Sequence, residues 1–341
     1  SEYRANGIKK IIRLLDSAPA ITKECIELLS FMRTKYHLTK ASILRLFLPT
    51  EMRKGKVREK LVTFVTVNTD LDFEAALSSI PQRSKSERGA LEFMRDVKTC
   101  KIAELKSKFT NDSVNRLVEK GYLKKEEKRE NRTPYSSLEG YSKNVELTDE
   151  QNKAIASIEA TDKRVTLIHG VTGSGKTVVY LRLIREAVES GKTAIMLVPE
   201  ISLTPQMFRQ LKAEFGDNAA ILHSGLSAGE KFDDWWRLRS GEAKIAVGAR
   251  SAIFAPLENL GVIIIDEEHD GSYTSESNPR YFTFDVAKFR ADYNDCKLVL
   301  GSATPSVETY LKAKEGTFNL VKLPHRINKK PLPEMIIADM R

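Results

Sequence analysis

The sequence predicts an α/β fold over residues 141–341: a mostly parallel sheet with helices on both faces, preceded by smaller helical regions. Three observations carry this. From Leu147 onward, short apolar runs alternate with stretches of helical periodicity. The runs Val165–His169, Ala194–Pro199, Ala219–His223, Lys244–Gly248, Val262–Asp266 and Lys297–Gly301 are apolar on both faces, as buried parallel strands are. Between the first run and a helix-like pattern, Val178 to Glu189, stands Gly170-Val171-Thr172-Gly173-Ser174-Gly175-Lys176-Thr177.

The front of the chain is organised differently. Residues 1–60 have helical spacing, first through Ile8, Ile11, Ile12, Leu14 and Leu15, then through Cys25, Ile26, Leu28, Leu29 and Met32. Lys60 to Val67 alternates like a strand, closing a first segment at residue 68; the polar stretch 69–81 reads as a linker. Residues 82–140 hold three helices. They run from Ser86 to Val97, from Ile102 to Phe109, and from a cap at Thr110 or Asn111 to Gly121, where a helix-ending glycine belongs. A charged, hairpin-like stretch, Lys124 to Arg132, follows, and the whole resembles a winged helix, a helix-turn-helix relative.

Residues 1–145 carry 30 Lys and Arg against 19 Asp and Glu, whereas the rest carries 25 against 27. A basic front half suits a polyanionic partner. No apolar run is long enough for a membrane span and Ser1-Glu2-Tyr3-Arg4 begins no signal sequence, so a cytoplasmic protein is expected, with no membrane partner. Cys25, Cys100 and Cys296 suggest reduced thiols, and the absence of any C-x-x-C pair excludes a zinc site of that pattern.

Two stretches carry chemistry. In Gly170–Thr177, glycines let successive backbone N–H groups turn toward one phosphate, Lys176 can reach the terminal phosphates, and the Thr177 hydroxyl can hold magnesium. This points to a bound nucleoside triphosphate. In Val262-Ile263-Ile264-Ile265-Asp266-Glu267-Glu268-His269 a buried strand ends in acids, where parallel sheets place their ligands. Asp266 is then expected to hold magnesium opposite Thr177, and Glu267 to polarise the attacking water. Thr148 can cap a helix, and Gln151 has the bidentate amide an adenine edge requires. Hydroxyls in Gly301-Ser302-Ala303-Thr304-Pro305 can relay the state of the acidic cluster.

Together with LVPEISLTPQ (197–206), HSGLS (223–227), GARSAIFAP (248–256), NLGVIIIDEEHD (259–270), Pro279–Tyr281 and LGSATPS (300–306), these stretches resemble the superfamily 2 helicases of the DEAD/DEAH type, and among them the replication-restart DNA helicases. The resemblance implies a RecA-like P-loop helicase lobe over 141–341, behind a winged-helix domain over 82–140 and the C-terminal part of an N-terminal DNA-binding domain over 1–68. It implies ATP and Mg2+, with Lys176, Asp266 and Glu267 catalytic, Gln151 reading adenine, and Ser302 and Thr304 coupling hydrolysis to movement. Thr204, Arg250 and His269 would join the DNA track or its coupling. Tyr273, Tyr281, Phe282 and Phe284 beside Arg280, in the aromatic-rich loop Gly271–Phe284, would stack on or grip single-stranded DNA. The implied activity is ATP-dependent 3′-to-5′ unwinding at forks in replication restart, with forked and single-stranded DNA, primosome proteins and single-stranded-DNA-binding protein as partners. A non-unwinding translocase or a fork-binding scaffold are the alternatives.

The family pattern is departed from at Thr274-Ser275, Phe282-Thr283 and Val178. The family's second lobe with its arginine finger and its zinc-binding region are not matched here, so the chain is read as a fragment of weak or no hydrolytic activity.

Overall fold

The computed structural model describes residues 19–48, 52, 57, 60–132 and 146–327. The expected stripe at Ile8–Leu15 and the ends of the winged-helix and helicase segments lie outside these residues. The chain divides into two compact units, one of residues 58–132 and one of the remainder.

The larger unit is built on seven parallel strands. In chain order they are β4 (Val165–Gly170), β5 (Thr193–Leu197), β6 (Ala219–Leu222), β7 (Ile245–Gly248), β8 (Leu260–Asp266), β9 (Lys297–Ser302) and β10 (Asn319–Leu323). Their spatial order is β10-β4-β9-β8-β5-β7-β6. All six predicted strands are present, to within a few residues at each end; β10, unpredicted, forms an edge strand beside β4. Ile263, Ile264, Leu298 and Val299 are buried, which explains why neither strand alternates in polarity.

Helices fill the connections: α7 (Asp149–Ala160), α8 (Lys176–Glu189), α9 (Pro205–Phe215), α10 (Ala228–Ser240), α11 (Thr283–Tyr293) and α12 (Val307–Lys314). Local chemistry sets their starts. Thr148 and Gln151 form a reciprocal capping box on α7, and Ser227 and Glu230 form another on α10. Two N-terminal helices, α1 (Lys23–Tyr36) and α2 (Lys40–Phe47), belong to this same unit. Phe31 stacks on Phe289 with ring centroids 4.8 Å apart, and Trp235 Nε1 donates to the Phe47 carbonyl at 3.0 Å.

The smaller unit differs from expectation in three respects. The strand β1 (Leu61–Val67), read as the end of the first segment, is the centre of a three-stranded antiparallel sheet between β2 (Thr99–Lys101) and β3 (Leu123–Arg129). The boundary drawn at residue 68 therefore cuts a sheet. The stretch 69–81 contains a helix, α3 (Phe73–Ser79), with Asp72 accepting from the Glu74 and Ala75 N–H groups; its polar sequence is that of a short capped helix. The charged stretch beginning at Lys124 is no hairpin: its residues to Arg129 pair along β1 in register, Leu61 opposite Arg129 and Val67 opposite Leu123. The three predicted helices are present as α4 (Lys85–Val97), α5 (Ile102–Lys108) and α6 (Asn111–Glu119), closing over Leu91, Met94, Leu105 and Leu117.

Candidate nucleotide-hydrolysis site

The loop from Val171 to Gly175 leaves β4 and enters α8. Gly173 and Gly175 have φ of +83° and +82°, a left-handed conformation that side-chain-bearing residues avoid. Backbone contacts brace the loop: the Val171 N–H donates to Leu323 of β10 at 3.2 Å, the Ser174 N–H to Val171 at 3.0 Å, and the Ile327 N–H to Gly173 at 3.0 Å. Lys176, only 8% exposed, opens α8; its Nζ donates to the Gly170 carbonyl at 3.0 Å and lies 3.7 Å from the Glu267 carboxylate. Thr177 follows it in the first helical turn, half-buried. The Ser174 Oγ is buried without a hydrogen-bond partner, a polar atom left for an incoming oxygen. Glycine-permitted turns, a buried ammonium, a helix N-terminus and an unpartnered hydroxyl fit a polyphosphate.

Strands β8 and β9 place the acids opposite. Asp266 pairs with Gly301 across the sheet. Tyr180, fully buried on α8, donates from its hydroxyl to Asp266 Oδ1 at 3.0 Å, and the Tyr273 hydroxyl donates to the Asp266 carbonyl at 2.7 Å. A side chain at residue 301 would collide with Tyr180: a Cβ built there lies 1.5 Å from its hydroxyl oxygen. Gly301→Ala is therefore expected to displace Tyr180 from Asp266 and cost ~1–3 kcal/mol through overpacking. Urea unfolding reads it as a lower midpoint at constant slope; an unchanged midpoint contradicts the packing argument.

Burial, and next the Glu267 carboxylate, push the Asp266 carboxyl above its ordinary range, partly countered by the Tyr180 hydrogen bond and by Lys176. With the folded value above the unfolded one, this group's contribution to stability is complete below the ordinary carboxylate range. It is lost as pH rises through the raised value. Were Asp266 to hold a divalent cation, as the sequence suggests, proton and cation would compete for the same carboxylate. Magnesium affinity is thus expected to climb as pH rises through that window and to lose the dependence in Asp266→Asn, as magnesium titrations at a series of pH values report.

Glu267 has φ of +47°, uncommon for a residue bearing a side chain, and its carboxylate is about one-third exposed. His269 Nδ1 lies 2.8 Å from the Ser302 hydroxyl and 3.7 Å from Glu267, and Nε2 lies 3.5 Å from the Thr304 hydroxyl. His269 thus stands between Glu267 and the Ser302 and Thr304 hydroxyls. Glu268 turns away: it accepts from the Ser306 N–H and hydroxyl and from the Thr309 hydroxyl, holding the start of α12.

Other predicted residues fall differently. Gln151 is 1% exposed; its Oε1 accepts from the Thr148 N–H at 2.9 Å and its Nε2 donates to the Ser174 carbonyl at 3.2 Å. It ties the α7 cap to the phosphate loop, beside the site. Tyr273 and Tyr281 correct the expectation of stacking faces: both are buried in the core, because Phe254, Val286 and Ala287 close around this loop. Burial pushes the Tyr281 hydroxyl up to about 12, Arg250 notwithstanding. Phe282, at 55% exposure, is the open aromatic here. Arg250 donates to the Ser272 and Thr274 carbonyls and sits 5.8 Å over the Tyr281 ring. Arg280 is exposed, with Nε on the Glu276 carbonyl at 2.9 Å, and Thr204 is exposed at the cap of α9. No sequence signal marked Tyr180, whose partner lies 86 residues away. Among the described residues no cluster of three His, Cys, Asp or Glu side chains could hold a metal and no helix is long and apolar enough to cross a membrane. The three cysteines are free and buried.

A DEAD/DEAH box helicase family model matches residues 148–313, and a 3′DNA-binding domain model matches residues 1–49. The replication restart protein PriA of Bacillus subtilis is 42% identical over 84% of this chain and 37% of its own length. That of Haemophilus influenzae is 30% identical over the whole chain and 47% of its own length. The chain thus spans between about a third and a half of these relatives. Among solved structures, RecG bound to a three-way DNA junction aligns over 53% of this chain and 24% of its own, at 25% identity and a TM-score of 0.39.

Proposed function

We propose, for a chain that belongs to the PriA family of replication restart proteins, that residues 146–327 form the ATP-binding half of a DNA helicase motor. The reading rests on one observation: a buried lysine after β4, Lys176, stands 3.7 Å from Glu267 at the acidic end of β8, two strands along the same sheet. The loop N–H groups and Lys176 hold the triphosphate, with Lys176 exchanging the Gly170 carbonyl for phosphate oxygen. Thr177 and Asp266 would hold a magnesium ion, which supplies charge neutralisation at the transferring phosphoryl group. Tyr180 and Tyr273 orient Asp266 from two sides, while Glu267, facing the open side, orients water and takes its proton. His269, Ser302 and Thr304 transmit the change. Gln151 would have to exchange its bonds to the Thr148 N–H and the Ser174 carbonyl to read adenine.

The DNA functions are proposed on the same footing. The basic front half and the match to a 3′DNA-binding domain support single-stranded and forked DNA as ligands. Arg280, Thr204 and the backbone near Arg250 contact phosphates, and Phe282 takes the stacking role that buried Tyr273 and Tyr281 leave open. Unwinding in the 3′-to-5′ direction, primosome assembly, contact with single-stranded-DNA-binding protein, and a cytoplasmic location are part of the same proposal, supported by family membership alone. The test is nucleotide binding and hydrolysis with and without forked oligonucleotide, together with strand displacement from 3′-tailed and 5′-tailed duplexes. ATP binding with DNA-stimulated turnover supports the motor. DNA binding without ATP binding favours the scaffold, and stimulated turnover without displacement favours the translocase.

A further inference from the structure

The chain leaving β10 runs back along the phosphate loop as a clip. The Val171 N–H on the Leu323 carbonyl, at 3.2 Å, ties its start, and the Ile327 N–H on the Gly173 carbonyl, at 3.0 Å, ties its end. Between them, His325 Nδ1 lies 2.6 Å from the Glu150 carboxylate in the first turn of α7. The clip closes around Gly175. A Cβ built at that glycine lies 2.5 Å from Ile327 Cδ1 and 2.3 Å from Gln151 Nε2, so an apolar side chain and an amide converge on the residue before Lys176. A Cβ built at Gly173 lies 3.9 Å from Arg326 Cγ.

Two features exceed what a structural strap needs. Ile327 is 48% exposed although its backbone is fixed. The Arg326 Nε is buried without a hydrogen-bond partner, as is the Ser174 hydroxyl in the loop beside it. An unpaired buried donor on a cationic group bears its full desolvation cost, which an anionic oxygen would offset. The sheet order orients a ligand here. Glu267 follows β8, two strands to one side of β4, and the clip follows β10, next to β4 on the other side. A terminal phosphate between Lys176 and Glu267 therefore directs the rest of the nucleotide toward the clip.

We infer that Arg326 and Ile327 form the nucleoside end of the nucleotide site, Ile327 packing on the face of the base and Arg326 Nε donating to an oxygen of the α-phosphate. A flat base is the apolar group that a fixed, half-open isoleucine can cover, and phosphate oxygen is the acceptor that guanidinium suits best. The inference rests on the reading of this lobe as a nucleotide binder. It names contacts supplied by the segment after β10, outside the phosphate loop and the acidic strand end.

The test is calorimetric titration of the whole chain with ATP, ADP and inorganic tripolyphosphate, each with magnesium. Ile327→Ala should raise the Kd of ATP and ADP several-fold and leave that of tripolyphosphate, which has no base, unchanged. Arg326→Ala should raise the Kd of all three by ~10-fold or more, and Arg326→Lys, which keeps the charge but loses the planar Nε–H, should restore only part. Equal losses for all three ligands in Ile327→Ala make Ile327 a prop of the loop and overturn its contact with the base. Unchanged ATP affinity in Arg326→Ala overturns the phosphate contact. A parent chain that binds these ligands beside two variants that bind them equally well overturns the inference and leaves the nucleotide reading standing. A parent chain that binds none of the three overturns both.

Discussion

Arg290→Ala is expected to lower the stability of the larger unit by ~3–5 kcal/mol, the largest effect on folding of any single side chain considered. The guanidinium, 1% exposed on α11, donates to both oxygens of Glu24 at 2.5 and 3.2 Å, and to the carbonyls of Ile253, Ala255 and Leu257 at 2.7, 2.9 and 3.0 Å. Truncation leaves the Glu24 carboxylate, 3% exposed, without its cation and orphans three buried carbonyls. Such groups cost their full desolvation when unpaired, far more than the pair itself contributes. Thermal unfolding should fall by roughly 6–20 °C, at ~2–4 °C per kcal/mol for a unit of this size. Glu24→Gln removes the buried charge while keeping an acceptor, so its loss should be smaller. If both variants melt within a degree of the parent, this ion pair does not hold α1 to the lobe.

The same contacts matter beyond stability. The three carbonyls belong to the segment that follows Arg250, and α1 also reaches the aromatic-rich loop: the Tyr36 hydroxyl donates to Asp285 at 2.5 Å and accepts from the Phe282 N–H at 3.2 Å. The helices at 23–47 thus brace both stretches proposed to meet DNA.

What was legible in the sequence was what local spacing encodes. A phosphate loop needs its glycines and lysine at fixed offsets, and a buried strand ending in acids shows in consecutive residues, so Gly170–Thr177 and Val262–His269 stand out in the sequence, and Lys176 and Glu267 come within 3.7 Å of each other in the fold. What escaped was fixed by distant partners. Tyr180 looks like any apolar residue of an amphipathic helix until Gly301, 121 positions on, leaves room for its hydroxyl. Glu24 and Arg290 are 266 residues apart, and each reads alone as a surface charge. Tyr273 and Tyr281 carry the composition of a stacking surface, and only tertiary packing decided that they face inward. Residues 61–67 alternated as a strand should, but alternation does not name a partner, and the true one, β3, is charged enough to resemble an exposed hairpin.

Glu267→Gln is expected to reduce ATP turnover by ~10²–10⁴-fold while nucleotide binding persists, the range a positioned general base contributes. The geometry separates the two acids. Asp266 is half-buried, engaged by Tyr180, and raised by burial toward protonation, which suits a metal ligand better than a base open to water. Glu267 is about one-third exposed, turned outward by its left-handed backbone, and faces the Lys176 ammonium, where the terminal phosphate would sit. Gln preserves size and hydrogen-bonding reach but cannot accept a proton, so the substitution tests proton transfer alone. Lys176→Ala provides the contrast: it removes the buried cation that opens α8 after the phosphate loop and should weaken nucleotide binding itself. A fluorescent ATP analogue gives the affinities and phosphate release gives the rates. Turnover near the parental rate in Glu267→Gln would move the proton acceptor elsewhere, and equal loss of binding in both variants would make Glu267 a structural partner of Lys176.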